Sequence, residues 1–466
     1  MKEELLCIYN GRLVDSEIDS LGAIFIQNGK IQEIFLGNFL PDELSKQISS
    51  LYSVEKEKIF FIDANEMVVQ PSFIDMHTHS RYPGQAEKEE LITVLAAAVA
   101  GGYGGLVFMP NTNPVISSFE QAKQIQQEAQ NFGLTSVFQS ISLTKNFNGA
   151  DTSHLDELKA YEPGFVDNSI LLATEDGKDV LDSAVMFDSM QKCAKKNILV
   201  SCHSEDCSLA IKAKPLRMAA LEILAQKNLS ESQKKQAWFF LQQANEILSL
   251  AENIATERNI QLAAGAMCPV HIAHVSTAKS LESVVRAKSK NQSVTCEVTP
   301  HHLALSVKQD DEELRHIVNP PLRSEEQRQA LLQGIINGTV DAIATDHAPH
   351  TLLDKKSGSP GFSGIETAYA VCNETLVQSS FISYSRLSSL MAGNPAKILG
   401  LDKGLNPKGF LRKGFSADIV ICNPKETWTV ASENFKSKGK YTPLEGKTLM
   451  GKVHKVFFQG KCVYSY

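Results

Sequence analysis

Val68-Val69-Gln70-Pro71-Ser72-Phe73-Ile74-Asp75-Met76 runs into His77-Thr78-His79-Ser80-Arg81, and the reading of this stretch decides the fold. The first nine residues are apolar enough for a buried strand. On a strand, residues i and i+2 project to the same side, so His77 and His79 leave its end together. Two neutral imidazoles side by side form half of a divalent-metal site, and the guanidinium of Arg81 just beyond suits an anionic substrate. Twelve histidines in 466 residues yield about 0.3 such pairs by chance, so the weight of the pair rests on other strand ends supplying further ligands.

The chain has room for one large domain and a smaller one, with 43% hydrophobic and 21% charged residues. A net charge of -7 argues against nucleic acid or a membrane surface as the main partner. No apolar run reaches the roughly 18 residues of a membrane span, and Met1-Lys2-Glu3-Glu4 lacks a signal-peptide pattern. Nine cysteines without CxxC spacing read as reduced thiols, which places the protein in the cytoplasm. Cys202 and Cys268, near candidate site residues, are expected to be buried structural thiols.

Residues 1–68 read as short strands, with Asn28-Gly29 marking a tight hairpin turn. Residues 399–466 read alike, with Ala417-Asp418-Ile419-Val420-Ile421 and Val453–Phe458 between glycine-rich turns. Together the two ends predict a small composite β domain of sandwich type. Between them, 69–398 alternates apolar runs (106–109, 170–173, 198–201, 270–273, 294–298, 342–345) with helical patterns such as Ser118–Asn131, Val180–Lys196 and Glu325–Ile336. Repeated βα units of this length predict a (β/α)8 TIM-type barrel. A doubly wound open sheet is the alternative, but no glycine-rich phosphate loop follows the first strand. The stretch 208–259 is rich in Gln, Ala, Glu and Lys; it reads as a helical hairpin on the rim offering an oligomer contact, or as an ordinary βα helix with an insertion.

Chemically active residues gather just after the apolar runs, where a parallel barrel carries its active site. Such runs end in Glu175-Asp176-Gly177, in His203, in His274-Val275-Ser276-Thr277 and in Asp346-His347-Ala348-Pro349-His350. Nine of the twelve histidines fall in motifs of this kind; His154, His316 and His454 read as surface or packing residues. The role of His271 stays open, and His301 and His302 read as supports rather than ligands. Imidazole and carboxylate donors without thiolate suit Zn²⁺. Two such ions sharing a carboxylate make water nucleophilic at neutral pH, and a neighbouring carboxylate can take its proton and return it to a departing nitrogen. These parts suit hydrolysis of an amide-like carbonyl.

The motifs Phe73–Gly84, Met109-Pro110-Asn111-Thr112, Glu297-Val298-Thr299-Pro300-His301-His302, Asn319-Pro320-Pro321-Leu322-Arg323 and Ala344–His350 resemble those of the dihydroorotases of the amidohydrolase superfamily. The similarity extends nearly end to end, through Gly364-Ile365-Glu366-Thr367 and the Ala417-Asp418 strand; 206–262 matches poorly except at its end. The resemblance implies a zinc enzyme interconverting N-carbamoyl-L-aspartate and L-dihydroorotate in pyrimidine biosynthesis. It assigns His77, His79 and Asp346 to one metal, and His203 and His274 to a second, with Asp176 bridging. Asp346 is then also the general acid/base. Arg81, Asn111 and His350 bind the substrate carboxylate, and Asn319 its ring. A homodimer, and association with another enzyme of the pathway, are further implications.

Two departures bear on this reading. Tyr82 stands where the family commonly has Glu, and Glu175-Asp176-Gly177 where it has Asp-Asp-Gly. Several relatives bridge their metals with a carboxylated lysine, but the strand 170–174 has none and Lys178 lies beyond the glycine, so Asp176 is taken as the bridge. Rival readings are a hydantoinase, dihydropyrimidinase or allantoinase, and a catalytically silent scaffold. The Arg81–Asn111–His350 set argues against the first group, because an uncharged ring gives a carboxylate clamp no partner.

Overall fold

The computed structural model describes residues 5–165, 169–307 and 317–466, so His316 lies outside the described residues. The run opening on Val68 is two strands, not one. Strand β5 (Val68–Pro71) pairs in parallel with β1 (Leu5–Val14) and antiparallel with β15 (Ile419–Thr429). At Ser72, whose N–H donates to Asp418 O at 2.9 Å, the chain leaves that sheet and begins β6 (Phe73–Thr78). The break falls directly after Pro71, whose missing N–H limits how far one ladder can continue.

The first sheet is built from both termini. Its order is β17 (Lys461–Ser465), β16 (Thr448–Phe458), β15, β5, β1, β2 (Asp19–Gln27), β3 (Lys30–Leu36), with β4 (Ile59–Asp63) also on β1. Asn28 and Gly29 both take positive φ, 53° and 75°, which is the turn a twisted two-residue hairpin requires. Ile8, Leu13, Ile24, Ile26, Ile419, Ile421 and Phe457 form its core, so neither terminal segment buries its apolar face without the other.

The middle of the chain forms the barrel. Strands β6, β7 (Tyr103–Phe108) and β8 (Ser136–Gln139) are parallel, as are β9 (Ile141–Ser142), β10 (Leu172–Thr174), β11 (Leu199–Cys202), β12 (Val270–Ile272), β13 (Val294–Val298) and β14 (Ala342–Ile343). Only Ser140 separates β8 from β9, so the nine segments make eight staves. The ring closes where Thr78 bridges in parallel to His347 and the His79 N–H reaches His347 O at 2.9 Å. Leu106, Phe108, Val200 and Val298 pack against helix residues such as Leu95, Ile125, Met186 and Val284. Each such side chain contributes about 1.5–3 kcal/mol on full burial.

The poorly matched stretch is a helical hairpin, Cys207–Leu224 and Glu231–Ala266. Its second helix, about 54 Å long at 1.5 Å per residue, runs directly into the connection to β12, so hairpin and crossover helix are continuous. A buried ion pair anchors it. Glu252 accepts from Arg323 Nη2 at 3.0 Å and from the N–H groups of Ser276 and Thr277 at 2.9 and 3.1 Å. Arg323 also donates to Ser249 Oγ at 2.8 Å and Asn245 O at 3.0 Å. No helix among the described residues is long and apolar enough to cross a membrane.

Removing one partner of a buried pair leaves an uncompensated charge. Arg323→Leu should cost about 3–5 kcal/mol, seen as unfolding at lower urea concentration, and the double replacement Glu252→Gln/Arg323→Leu should lose less than Arg323→Leu alone.

Candidate active site

The strand ends converge on Asp176. Its Oδ1 lies 3.2 Å from His77 Nε2, 3.4 Å from His203 Nδ1 and 3.8 Å from His274 Nε2; its Oδ2 lies 3.3 Å from His79 Nε2. Asp346 Oδ1 is 3.1 Å from His79 Nε2 and 3.7 Å from His77 Nε2. All six residues expected as ligands are thus brought together from β6, β10, β11, β12 and β14, and all are buried. Two compact donor triads stand out among the described residues, His77–His79–Asp346 and His77–Asp176–His274, each within 4.8 Å. His203 Nδ1 meets His274 Nε2 at 2.8 Å and so joins the second group through its neighbours.

These donors suit a divalent ion. His77 Nε2 and Asp176 Oδ1 are buried and find no hydrogen-bond partner, a loss of about 1–3 kcal/mol each that coordination would offset. The set is imidazole and carboxylate without thiolate, as Zn²⁺ accepts. Burial opposes ionisation of Asp346, but His79 and His77 outweigh it and hold the carboxyl well below the usual carboxylate range.

The two leading histidines are fixed from behind through Nδ1. His79 Nδ1 faces the amide oxygen of Asn111 at 3.0 Å, and His77 Nδ1 faces Glu297 Oε1 at 3.2 Å. Both oxygens only accept, so each ring donates from Nδ1, and Nε2 is the atom turned to the carboxylates and offered to a cation between them. The other oxygen of Glu297 takes His271 Nε2 at 3.1 Å, and His271 Nδ1 meets Thr295 Oγ1 at 2.8 Å. That settles the open role of His271: it braces Glu297. Burial raises the Glu297 carboxyl, but His271 and His77 more than offset this and bring it to about 2.

Asp75 ties the first stave to the last. It accepts from Thr78 Oγ1 at 2.8 Å, Thr345 Oγ1 at 2.5 Å and the Thr345 N–H at 2.9 Å. His77 and Asp346, 269 positions apart, are therefore set by one buried carboxylate. Neither Asp75 nor Glu297 emerged from the sequence as a functional residue, although each is a carboxylate inside an apolar strand. Arg81, His274 and Asp346 take φ of 56°, 34° and 48°, so backbone strain of about 1–3 kcal/mol per residue collects at three site residues.

One cavity of about 190 Å³ joins the expected ligands to the expected substrate-binding residues. His79, Arg81, Asn111, Asn319, Asp346 and His350 all line it. Arg81 donates to Pro349 O at 3.2 Å and lies 3.1 Å from His350 Nε2, which is also 2.8 Å from Pro360 O. Burial and the charge of Arg81 bring His350 to about 3, so its ring is neutral. The loop after the histidines lies on the Asn111 loop: a Cβ on Gly84 (φ 93°) would fall 1.8 Å from Asn113 O. The Tyr82 hydroxyl donates to Glu128 Oε2 at 2.7 Å, which accounts for tyrosine there. Lys178 donates to Phe147 O at 3.0 Å and does not line the cavity, which leaves Asp176 as the carboxylate at the centre.

Two further histidines and two thiols have structural surroundings. His302 lies 2.8 Å from Thr299 Oγ1 and 3.1 Å from Pro320 O, just behind Asn319. His154 donates to Ser142 O at 2.8 Å and is a packing residue. Cys202 and Cys268 are buried, and burial pushes the Cys268 thiol up to about 12.

Comparison with known proteins agrees with this geometry. Residues 68–463 match the profile of the Amidohydrolase family, and the chain belongs to that family. Among its relatives, a dihydroorotase of Clostridium botulinum (strain Eklund 17B / Type B) is 33% identical over 459 residues, 98% of this chain and 99% of that protein. A dihydroorotase of Caldanaerobacter subterraneus is 36% identical over 454 residues, 95% and 97% of the two chains. In fold, the chain is similar to an L-hydantoinase of Arthrobacter aurescens (TM-score 0.79, 22% identity, 99% and 96% coverage).

Glu297→Gln should keep the fold but lower divalent-metal affinity about 10- to 100-fold, because His77 loses the carboxylate that fixes its tautomer. Metal content after dialysis against graded chelator measures this.

Proposed function

We propose that the protein is a zinc-dependent dihydroorotase that interconverts N-carbamoyl-L-aspartate and L-dihydroorotate in cytoplasmic pyrimidine synthesis. The observation that carries the reading is the single cavity in which Arg81, Asn111 and His350 stand beside the histidine–aspartate cluster. A substrate filling it needs both an anionic group and a hydrolysable amide, and dihydroorotate has both. The dihydroorotase relatives, matched over nearly the whole chain, support the same substrate.

An ion held by His77, His79, Asp176, His203, His274 and Asp346 would supply Lewis acidity, lowering the pKa of a water and polarising a carbonyl oxygen. Two zinc ions, with Asp176 shared, are the arrangement we favour. The protein's own groups do the rest. Arg81 takes the substrate carboxylate by charge-assisted hydrogen bonds, with the neutral His350 and the Asn111 amide as further donors. Asp346, ionised at neutral pH, accepts the proton of the attacking water. It returns that proton to the ring nitrogen as the amide C–N bond breaks, giving the open carbamoyl acid; the reverse sequence closes the ring. The hairpin's exposed Ile211, Phe239, Leu250 and Ile254 offer a surface for the homodimer.

The test is to offer the zinc-loaded protein dihydroorotate, hydantoin, dihydrouracil and allantoin side by side. Dihydroorotate should be turned over far faster than the rest, and preference for an uncharged ring would reject the assignment. Arg81→Ala should raise KM for dihydroorotate about 10- to 100-fold, the loss expected for hydrogen bonds to a charged group, and leave any slow turnover of dihydrouracil nearly unchanged. Asp346→Asn should lower kcat by roughly 10²–10⁴-fold with most of the metal retained; an active variant would remove Asp346 as acid/base.

A further inference from the structure

Asn319 enters the cavity wall from a segment pinned on three sides. Lys355 Nζ donates to Ile317 O at 3.0 Å, and also to Ser359 O and Gly361 O, both at 2.7 Å. His302 lies behind Pro320 O. The third support comes from the helical hairpin: Arg217, on the helix Cys207–Leu224, donates from Nη1 to Asn319 Oδ1 at 2.6 Å and from Nη2 to Val318 O at 3.0 Å. Arg217 is half-buried and does not line the cavity.

A guanidinium has donors and no acceptor, so the atom of Asn319 that faces Arg217 must be the amide oxygen. The rotation that would exchange oxygen for nitrogen brings two donors together and loses the bond. The Asn319 Nδ2 group donates to no described residue and is the polar end left for the cavity. An asparagine in a wall is ordinarily ambivalent, able to offer either end to a ligand; here one end is taken.

We infer that Arg217 is a positioning residue that fixes the Asn319 side chain as a hydrogen-bond donor, so that this wall selects a carbonyl oxygen of the substrate ring rather than a ring N–H. The inference rests on the cyclic-amide reading above and adds a specificity element from the stretch of chain that least resembles the family. Without Arg217 the amide turns freely between donor and acceptor, and binding weakens while the reacting groups stay in place.

Dihydroorotate kinetics of Arg217→Met, Arg217→Lys, Asn319→Ala and the double variant Arg217→Met/Asn319→Ala, with zinc content and melting temperature measured on each, test this. Arg217→Met should raise KM about tenfold with kcat within about threefold of the parent and zinc content unchanged. Arg217→Lys, which keeps one donor for Oδ1, should recover much of the loss. The double variant should be no worse than Asn319→Ala, since an absent amide cannot be oriented. Parental KM in Arg217→Met, or losses that multiply in the double variant, would overturn the inference while leaving the proposed activity intact. If Arg217→Met does not fold, Arg217→Gln replaces it: a raised KM with kcat and zinc content kept supports the inference, and a fall in kcat or zinc content with KM unchanged makes Arg217 merely structural. A parent protein inert toward dihydroorotate would reject the activity itself, and the inference with it.

Discussion

A buried carboxylate surrounded by four imidazoles is the constraint on which this structure depends. Asp176 cannot remain ionised in a dry barrel mouth unless compensating groups sit within a few ångströms, and His77, His79, His203 and His274 all lie within 3.8 Å of it. Those imidazoles come from three staves, β6, β11 and β12, and Asp176 from a fourth, so their meeting requires the barrel to close in one register. Closure in turn rests on contacts between the first and last staves, chiefly Asp75 to Thr345 and His79 to His347. Site and barrel are thus mutually dependent: the strand ends gather the histidines and aspartates, and the need of these groups for one another penalises any slipped register.

This dependence explains which parts of the site were legible in the sequence. His77, His79, Asp176, His203, His274 and Asp346 are readable because each follows an apolar run, and a parallel barrel maps that one-dimensional position onto one face. The alternation of runs and helical segments carried the barrel in the same way, and the Asn28-Gly29 turn its hairpin. Asp75 and Glu297 are harder. They lie inside strands rather than at the ends, and their value comes from contacts to residues 270 and 220 positions away, which no local pattern encodes. The run from Val68 to Met76 misleads for a related reason: hydrophobicity continues across Ser72 although the chain passes from one sheet to another, and both sheets want apolar residues there. Arg217 has no signal in sequence, because a lone arginine on a Lys-rich helix looks like any solvated side chain until the hairpin is folded against the wall.

The two departures from the family motifs have local physical accounts. Tyr82 needs an acceptor, and Glu128 on the facing helix supplies one, so the position is satisfied by a hydrogen bond to a neighbouring element rather than by a charge in the cavity. Glu175 faces away from the cluster, accepting from the Thr144 N–H at 2.9 Å, and so secures the loop after β9. Lengthening that carboxylate by one methylene changes an anchoring contact and leaves Asp176 where it was. Both substitutions sit beside the chemistry without entering it.

Charge in the cavity is arranged unevenly, and this bears on how a substrate lies in it. Asp176, Asp346 and, behind them, Glu297 occupy the side where the ligands meet. Arg81 lines the cavity, and Arg217 and Lys355 stand behind its Asn319 wall; like-charge repulsion from Arg217 and Arg81 adds to burial in bringing Lys355 down to about 7. Two unit charges 4 Å apart interact by about 4 kcal/mol at an effective dielectric of 20, enough to decide orientation. A ring carrying one carboxylate is therefore drawn in with that group toward Arg81, which turns its amide to the histidines and Asp346. A ring without the carboxylate has no such preference and gains nothing from the cations. In the proposed reaction, selection of substrate and alignment for attack thus follow from the same separation of charge.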